Sequence, residues 1–263
     1  MHSSVSCSGL SVSIVTVVYN NAHFIRDAIE SVISQDYPLI EYIVIDGGST
    51  DGTLDVIGNY RDKISVFLSE SDEGVYDALN KGVSLSTGDV IAILHSDDEF
   101  CDDHVVSDML KKMSDTQAEF CFSDMVIVDN VSGNVSRYYM AHYFSRWMFR
   151  MGWLPPHPTC FIKKSLFDEF GDYNSEYFIA GDFDFMVRIF FSRSINWAYL
   201  SRVTVKMRSG GISNSGVKNK IVGAKEIYSV LKDNGVFSMY LFQFGRYIIR
   251  VLELIIRPEK KCA

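Results

Sequence analysis

The sequence predicts an α/β fold built on a mainly parallel sheet with helices on both faces. Three observations carry this expectation. Runs rich in β-branched residues recur at Val12–Tyr19, Tyr42–Asp46, Ile64–Leu68 and Val90–Leu94, with little polar alternation, as in strands buried on both sides. Between them apolar residues repeat at helical spacing: Ile25, Ala28, Ile29, Val32 and Ile33, then Val75, Ala78, Leu79, Gly82 and Val83. Connections of this length between strands are crossovers, and crossovers produce parallel pairing with a helix on each face.

The elements follow in order. Asn20 or Asn21 is placed to cap the first helix. The stretch Gly47–Gly52 is a turn leading into a short helix, in which Asp51 serves as a turn former, as Asp89 does before the fourth strand. In the second half Phe120–Val128 and Val135–Tyr139 pair as a hairpin across Asp129–Asn134. A segment rich in Trp, Met and Phe (Phe144–Trp153) precedes the proline-rich stretch around His157. Phe183–Phe191 then reads as a helix, Trp197–Val205 as a strand and Gly210–Gly211 as a turn. Residues 1–11 read as a flexible, small and polar leader without the basic start and apolar run of a signal peptide. Residues 12–234 read as one catalytic domain, and 235–263 as an amphipathic helical tail.

Composition bounds the function. The 263 residues carry a net charge of −8, which excludes a broad electrostatic grip on nucleic acid. The five cysteines are scattered and lack a paired spacing, so they read as reduced thiols and not as a zinc site or disulfide frame.

In open parallel sheets ligands bind beyond the carboxyl ends of the strands. The polar residues there are Tyr19 and Asn20, Asp46, Glu70 with Asp72, and Ser96 with Asp97 and Asp98. Like charges gathered along one edge destabilise the free protein, and a hard cation such as Mg²⁺ or Mn²⁺, shared with a phosphate ligand, relieves that repulsion. Neither a dinucleotide-binding glycine pattern nor a P-loop is present, since the glycines at 47, 48 and 52 follow the second strand and are wrongly spaced.

These residues stand in runs that resemble the family 2 inverting glycosyltransferases of the GT-A fold, of the bacterial polysaccharide-assembly type. The runs are VSIVTVVYN from Val12, EYIVIDGGSTDGT from Glu41, ESDEGVYDALNKG from Glu70, STGD from Ser86 and LHSDD from Leu94. HPTCFIKK from His157 and AGDFDF from Ala180 complete the set, in order, up to about Ser213. The resemblance implies a GT-A nucleotide-sugar-binding fold and a metal-dependent transfer from a nucleotide-diphosphate donor, expected to be a UDP-sugar. Val17 and Tyr19 would frame the base with backbone and ring, Asn20 beside them, and Asp46 would accept a hydrogen bond from it. Asp72 and Asn80 would line the nucleotide side of the cleft. Asp97 stands where the last acid of the DXD motif binds Mn²⁺ or Mg²⁺. His95 replaces the first acid of that motif, so Asp98 is expected to share in donor binding. His157 is implied as a second metal ligand or an acceptor contact, and Arg208 or Lys206 as cations of a loop closing over the diphosphate. Asp182 aligns with the general base, although Gly181 replaces the Glu that often precedes it. The acceptor implied is a glycan or a polyprenyl-linked saccharide.

The alternative from a different class is a noncatalytic partner subunit of the same fold, favoured by the two missing acids. The sequence from Val236 to Arg257 sets Gln243, Arg246, Arg250, Glu253 and Arg257 in one narrow polar stripe amid apolar and aromatic residues. Charges at that spacing disfavour a transmembrane span. The tail is expected either to pack on the domain or on a second copy of the chain, or to lie on an anionic membrane surface, which would make a cytoplasmic enzyme peripheral at the inner face of a bacterial membrane.

Overall fold

The structure, a computed structural model, describes residues 9–130, 132–210 and 216–245. Strand β1 (Val12–Val18) is buried along its whole length. It pairs in parallel with β2 (Ile40–Asp46) on one side and β4 (Val90–Ile93) on the other, and β3 (Val66–Ser69) extends the sheet beyond β2. The expected α/β core is therefore present. The third strand lies slightly later in the chain than the pattern suggests, because Ile64 packs into the core ahead of the ladder.

Beyond β4 the direction changes. Strand β8 (Phe161–Lys163) runs antiparallel between β4 and β6 (Phe120–Val128), and β9 (Trp197–Arg208) lies parallel to β6. The short β5 (Asp98–Phe100) pairs antiparallel with β9, while β7 (Val135–Tyr139) forms the expected hairpin with the far end of β6. The sheet order is β3-β2-β1-β4-β8-β6-β9-β5, with β7 beside β6. Parallel ladders carry most of the paired residues.

Two apolar clusters sandwich this sheet. On one face α1 (Ile25–Ile33), α2 (Thr53–Gly58) and α4 (Val105–Thr116) cover Val12, Ile14 and Val18. On the other face α3 (Val75–Leu85), α5 (Lys164–Phe170), α6 (Gly181–Ser192) and α7 (Gly216–Asp233) cover Val15 and Val17. The alternation along β1 divides its side chains between the two clusters, as the period of a strand requires.

Three expectations are corrected. The first turn of α1 is not capped by an Asn side chain. Phe24 is its N-cap residue, the Ile25 N–H donates to the Asn21 carbonyl at 3.2 Å, and both Asn side chains are engaged elsewhere. The tail does not continue as a helix from Val236. Gly235, at φ +67°, reverses the chain after α7, and the Val236 N–H closes back on Leu231 O at 2.7 Å while its side chain enters the core. Gln243, assigned to the polar stripe, is buried and donates to Ala224 O at 3.1 Å in a single 3₁₀ turn, Phe242–Phe244. The other stripe residues, Arg246, Arg250, Glu253 and Arg257, lie outside the described residues. Finally, Cys121 and Cys160 are buried thiols as expected, but Cys101 is disulfide-bonded, a pairing that spacing alone does not reveal. No helix among the described residues is long and apolar enough to cross a membrane.

Candidate active site

Register places the site. Val18 pairs with Asp46 and Asp46 with Ser69, so β1, β2 and β3 end side by side, and the turn after β4 opens next to them. Asp46 is fully buried. Its Oδ2 accepts the Gly48 and Ser49 N–H groups at 3.1 and 3.0 Å and the Ser69 hydroxyl at 2.7 Å. Gly48 supplies the left-handed turn, at φ +84°, that aims those amides back at the carboxylate. The other oxygen, Oδ1, is buried with no hydrogen-bond partner among the described residues. A buried acceptor left unmatched costs about 1–3 kcal/mol, which a ligand N–H would recover.

The neighbouring wall is equally constrained. A side chain at Gly47 would overlap the Asp72 carboxylate and come within 3.4 Å of the Tyr19 ring. Tyr19, Asp46 and Asp72 are thus brought together around one glycine, with Tyr19 64% exposed and able to take a planar ligand. Asp72 Oδ1 also accepts the Gly74 N–H at 3.0 Å, which fixes it at the start of α3.

The Val17 side chain lies in the core, which leaves to the site its backbone, the part expected to frame the base. Two other expected donor residues make hydrogen bonds within the protein. Asn20, at φ +48°, accepts the Thr50 N–H on its side-chain Oδ1 at 2.8 Å and gives its backbone N–H to Ser49 Oγ at 2.8 Å, so it shapes the loop after β2. The Asn80 amide exchanges two hydrogen bonds with the Tyr173 backbone, at 2.8 and 3.0 Å, and so ties α3 to the segment before α6.

The acidic turn after β4 holds His95, Asp97 and Asp98. Asp97 is half-buried at the mouth. Asp98 is fully sheltered in the β5–β9 ladder, its Oδ1 unpartnered among the described residues. Burial, and then the Asp97 charge, push the Asp98 carboxyl well above the usual carboxylate range, with Arg208 opposing. Burial holds His95 below its ordinary value against the pull of Asp97, so the ring is neutral at pH 7. Its centroid is 6.1 Å from that of His157, whose Nε2 lies 2.9 Å from the Tyr173 hydroxyl. Burial, with a smaller contribution from His95, lowers the His157 pKa to about 3.

Among the described residues no group of three or more His, Cys, Asp and Glu side chains could hold a metal on its own. What the turn does offer is Asp97 at the mouth and the orphan oxygen of Asp98 behind it. One or two carboxylates completed by ligand phosphates are the donor set that Mg²⁺ accepts, so these residues fit a cation shared with a substrate. His157 fits less well, because Nε2 is engaged with Tyr173.

Asp182 sits in the first turn of α6, linked to the acidic turn through the rings of Tyr76, Tyr173, His157 and His95. Its Oδ1 accepts the Phe183 N–H at 2.7 Å and lies 3.3 Å from the Tyr76 hydroxyl. Burial raises its pKa to about 6, opposed by these two hydrogen bonds. At neutral pH it is an ionised carboxylate of raised basicity, the state that a general base requires. Tyr76 and Tyr173, which no chemical signature in the sequence marks, bridge His157 to Asp182 through rings 6.0 Å apart. Only their position inside matched runs, or between them, hinted at a role.

Arg208 is not free to close over a ligand. It pairs with Asp27, lies 3.5 Å from Glu99 and covers the Phe24 ring at 4.5 Å, all at the end of β9. Lys206 stands opposite Glu99 in the same ladder. Residues 211–215, which complete the expected loop, lie outside the described residues.

This geometry has counterparts among known proteins. A PGL/p-HBAD biosynthesis glycosyltransferase of Mycobacterium bovis is 29% identical over 215 residues, covering 80% of this chain and 82% of its own. The fold matches the crystal structure of S. aureus TarS 1-349 in complex with UDP-GlcNAc, with a TM-score of 0.67 at 19% identity, covering 84% of this chain and 66% of that one. It also matches the mannosyltransferase PcManGT from Pyrobaculum calidifontis in complex with GDP-Man and Mn²⁺, with a TM-score of 0.63 at 18% identity over 93% of this chain and 70% of the other. The description Glycosyl transferase family 2 fits residues 13–178, a span running from β1 to the approach of α6 and holding every donor-side residue described above. A GT-A enzyme is what the strand ends build, and the chain belongs to glycosyl transferase family 2.

Proposed function

We propose that this glycosyltransferase moves a sugar from a UDP-linked donor to a saccharide or lipid-linked saccharide, with inversion at the anomeric carbon. The observation that carries the donor assignment is Asp46: a fully buried carboxylate with one oxygen satisfied three times and the other unmatched, beside an exposed Tyr19. A uracil imide N–H is the complementary donor, with the base resting on the Tyr19 ring. The base would then lie at β1–β3 and the diphosphate would extend toward Asp97. A divalent cation held by Asp97, with Asp98 behind it, would neutralise the leaving diphosphate. Asp182 accepts the proton of the attacking hydroxyl, and no covalent enzyme intermediate is needed.

The structural neighbours named above were solved with UDP-GlcNAc and with GDP-Man and Mn²⁺, which supports a nucleotide-sugar donor without fixing the base. The mycobacterial relative, named for biosynthesis, supports a role in building a glycan or glycolipid. A noncatalytic partner subunit is not favoured, since an ionisable carboxylate is present at 182 despite the missing acid at 181. Thermal stabilisation by UDP-, GDP- and dTDP-sugars, each with and without Mn²⁺, tests the reading. The largest shift is expected with a UDP-sugar, and a clear preference for GDP would overturn the assignment of Asp46 to uracil.

Peripheral membrane attachment belongs to the same proposal. Phe237, Met239, Tyr240 and Leu241 are exposed after α7, and Arg246, Arg250, Arg257, Lys260 and Lys261 follow in the sequence. Apolar side chains with a basic continuation suit an anionic lipid surface better than a second copy of the chain. The cytoplasmic face is proposed for this contact. The Cys101 disulfide runs against a reducing compartment, and thiol titration of freshly purified protein decides between them.

A further inference from the structure

We propose that Tyr76 is the positioning residue of Asp182, its ring filling the space beside residue 181 and its hydroxyl fixing the entry to α6. The inference rests on reading Asp182 as the base. Its starting point is Gly181. A Cβ built there would lie 2.8 Å from three carbons of the Tyr76 ring, so the ring is packed flat against the glycine Cα. Gly181 has no positive φ, so it is the space it leaves that matters here, not its conformational freedom. A side chain at 181 would force the Tyr76 ring to shift from where it lies.

The hydroxyl completes the arrangement. Its single proton is divided between Ile179 O, at 2.6 Å, and Asp182 Oδ1, at 3.3 Å, so the hydroxyl spans the two sides of the turn that opens α6. From the other side Glu226 of α7 accepts the N–H groups of Phe178, Ile179 and Ala180 at 3.0, 2.8 and 3.0 Å. Both polar groups of the Ile179 backbone are therefore held by side chains, and the carboxylate three residues later inherits that position.

The titratable groups facing Asp182 are Tyr76 from α3, Cys160 ahead of β8 and Tyr173 from the segment after α5. Burial pushes all three well above their ordinary values, so all are neutral at working pH. No cation among them balances the carboxylate. Its charge is held by the Phe183 N–H and by whatever share of the Tyr76 proton it receives.

Tyr76→Phe keeps the ring and removes the hydroxyl. Donor hydrolysis, measured with whichever nucleotide sugar stabilises the protein most, should keep its KM within about two-fold while kcat falls about ten-fold, the worth of one hydrogen bond to a charged group. Its acid limb should move up by roughly half a pH unit or more, because the lost donor favoured the ionised form. A second readout needs no activity: the ¹³C carboxyl titration of Asp182 in Asp-labelled protein, with the resonance identified by Asp182→Asn, should move up likewise. Incorporating 3-fluorotyrosine, which keeps the shape and strengthens the donor, should move it down, and serves if Tyr76→Phe does not fold. Glu226→Gln should lower kcat without moving the titration. An Asp182 titration unchanged in both Tyr76 variants overturns the proposal. A titration that moves while the acid limb stays fixed leaves Tyr76 in place and removes Asp182 as the base.

Discussion

The Asn21 side-chain amide donates to Ser96 Oγ at 2.9 Å, joining the turn after β1 to the acidic turn after β4. One bond thus ties the nucleotide wall of the cleft to the residues that would face the diphosphate. The same turn after β1 is fastened to the loop after β2, where the Asn21 N–H donates to Thr53 Oγ1 and the Ala22 N–H to Asp51 Oδ2. The mouth of the site is a set of three loops cross-linked by side chains, and the carboxylates of Asp46 and Asp72 are held before any ligand arrives. Pre-organisation of this kind removes part of the ordering cost of binding.

Asp97→Ala should therefore remove activity while leaving the fold intact, because Asp97 is half-buried at the mouth and belongs to neither apolar cluster. The expected result is loss of turnover by at least about 10²-fold with an unchanged melting temperature. EDTA should do the same to the wild-type protein, reversed by added Mn²⁺. Full turnover in excess chelator would show that no divalent ion takes part.

Asp46→Asn tests the base pocket. Oδ2 must keep facing its three donors, so the new amide NH₂ would take the place of the unmatched Oδ1. An acceptor becomes a donor opposite the imide N–H. UDP affinity should drop by roughly 10- to 100-fold, the scale of an unpaired buried polar group, with little change in stability. Titration calorimetry with UDP alone measures it, and unaltered affinity rules out a direct contact.

The parts of this site visible in the sequence are those made by local pattern. Strand ends follow from β-branched runs, so the pattern alone puts Asp46 and Asp97 at one sheet edge. Strands β5 and β8, each three residues long, have no periodicity to read; they exist because β9 and β4 offer them partners. The contact of Tyr76 with Asp182 spans 106 positions, and nothing near either residue announces it. The motif names Asn20 and Asn80 as donor contacts but does not show that Asn20 Oδ1 and both ends of the Asn80 amide also bond the backbone that shapes the cleft. In the tail a helical stripe is legible from Val236 on, whereas among the described residues Gly235 and the burial of Val236 turn the chain aside before it; the stripe beyond Gly245 lies outside them.

Asp182→Asn should separate activity from stability. The amide cannot take up the hydroxyl proton, so transfer at saturating donor should fall roughly 10²–10⁴-fold while donor binding persists. Stability should move the other way. Burial raises the folded-state pKa of Asp182 from 3.8 to about 6, so the wild type is penalised once the carboxyl is ionised. Below pH 3.8 both proteins are neutral there and should melt alike; as pH rises through about 6 the wild type loses stability that the variant keeps. Partial exposure discounts the full shift, leaving about 1–2 kcal/mol, or a few degrees in melting temperature. Melting curves at pH 4 and pH 8 check it, and a variant less stable at pH 8 contradicts the sign.

Gly82→Ala addresses the scaffold. In an exposed helix alanine would be favoured by about 1 kcal/mol. In α3 the added methyl would overlap Val15 Cγ1 on β1 and lie 3.4 Å from Ile45 Cγ1 on β2. Overpacking of this kind costs about 1–3 kcal/mol, so the collision outweighs propensity. A lowered melting temperature is expected, with donor affinity reduced at most slightly. A stabilised variant would mean that α3 can lift from the sheet without cost.

The last prediction concerns the membrane. Removing everything from Phe237 onward would not test the tail cleanly, because Gln243 is buried against Ala224 and Phe242 packs near Trp147 and Phe237. A cut after Gly245 spares those contacts and still removes Arg246, Arg250, Arg257, Lys260 and Lys261. The intact chain should sediment with vesicles containing anionic lipid and less so as salt rises, since basic residues near such a surface contribute about 1 kcal/mol each and are screened within roughly 10 Å at 0.1 M salt. The shortened chain should stay in the supernatant while keeping its melting temperature and UDP affinity. A second variant, Phe237→Ser with Leu241→Ser, changes only side chains that are 67% and 69% exposed and should weaken vesicle binding without altering the salt dependence. If the intact protein ignores such vesicles and instead forms a dimer that the shortened chain cannot form, the exposed face belongs to a second copy of the chain.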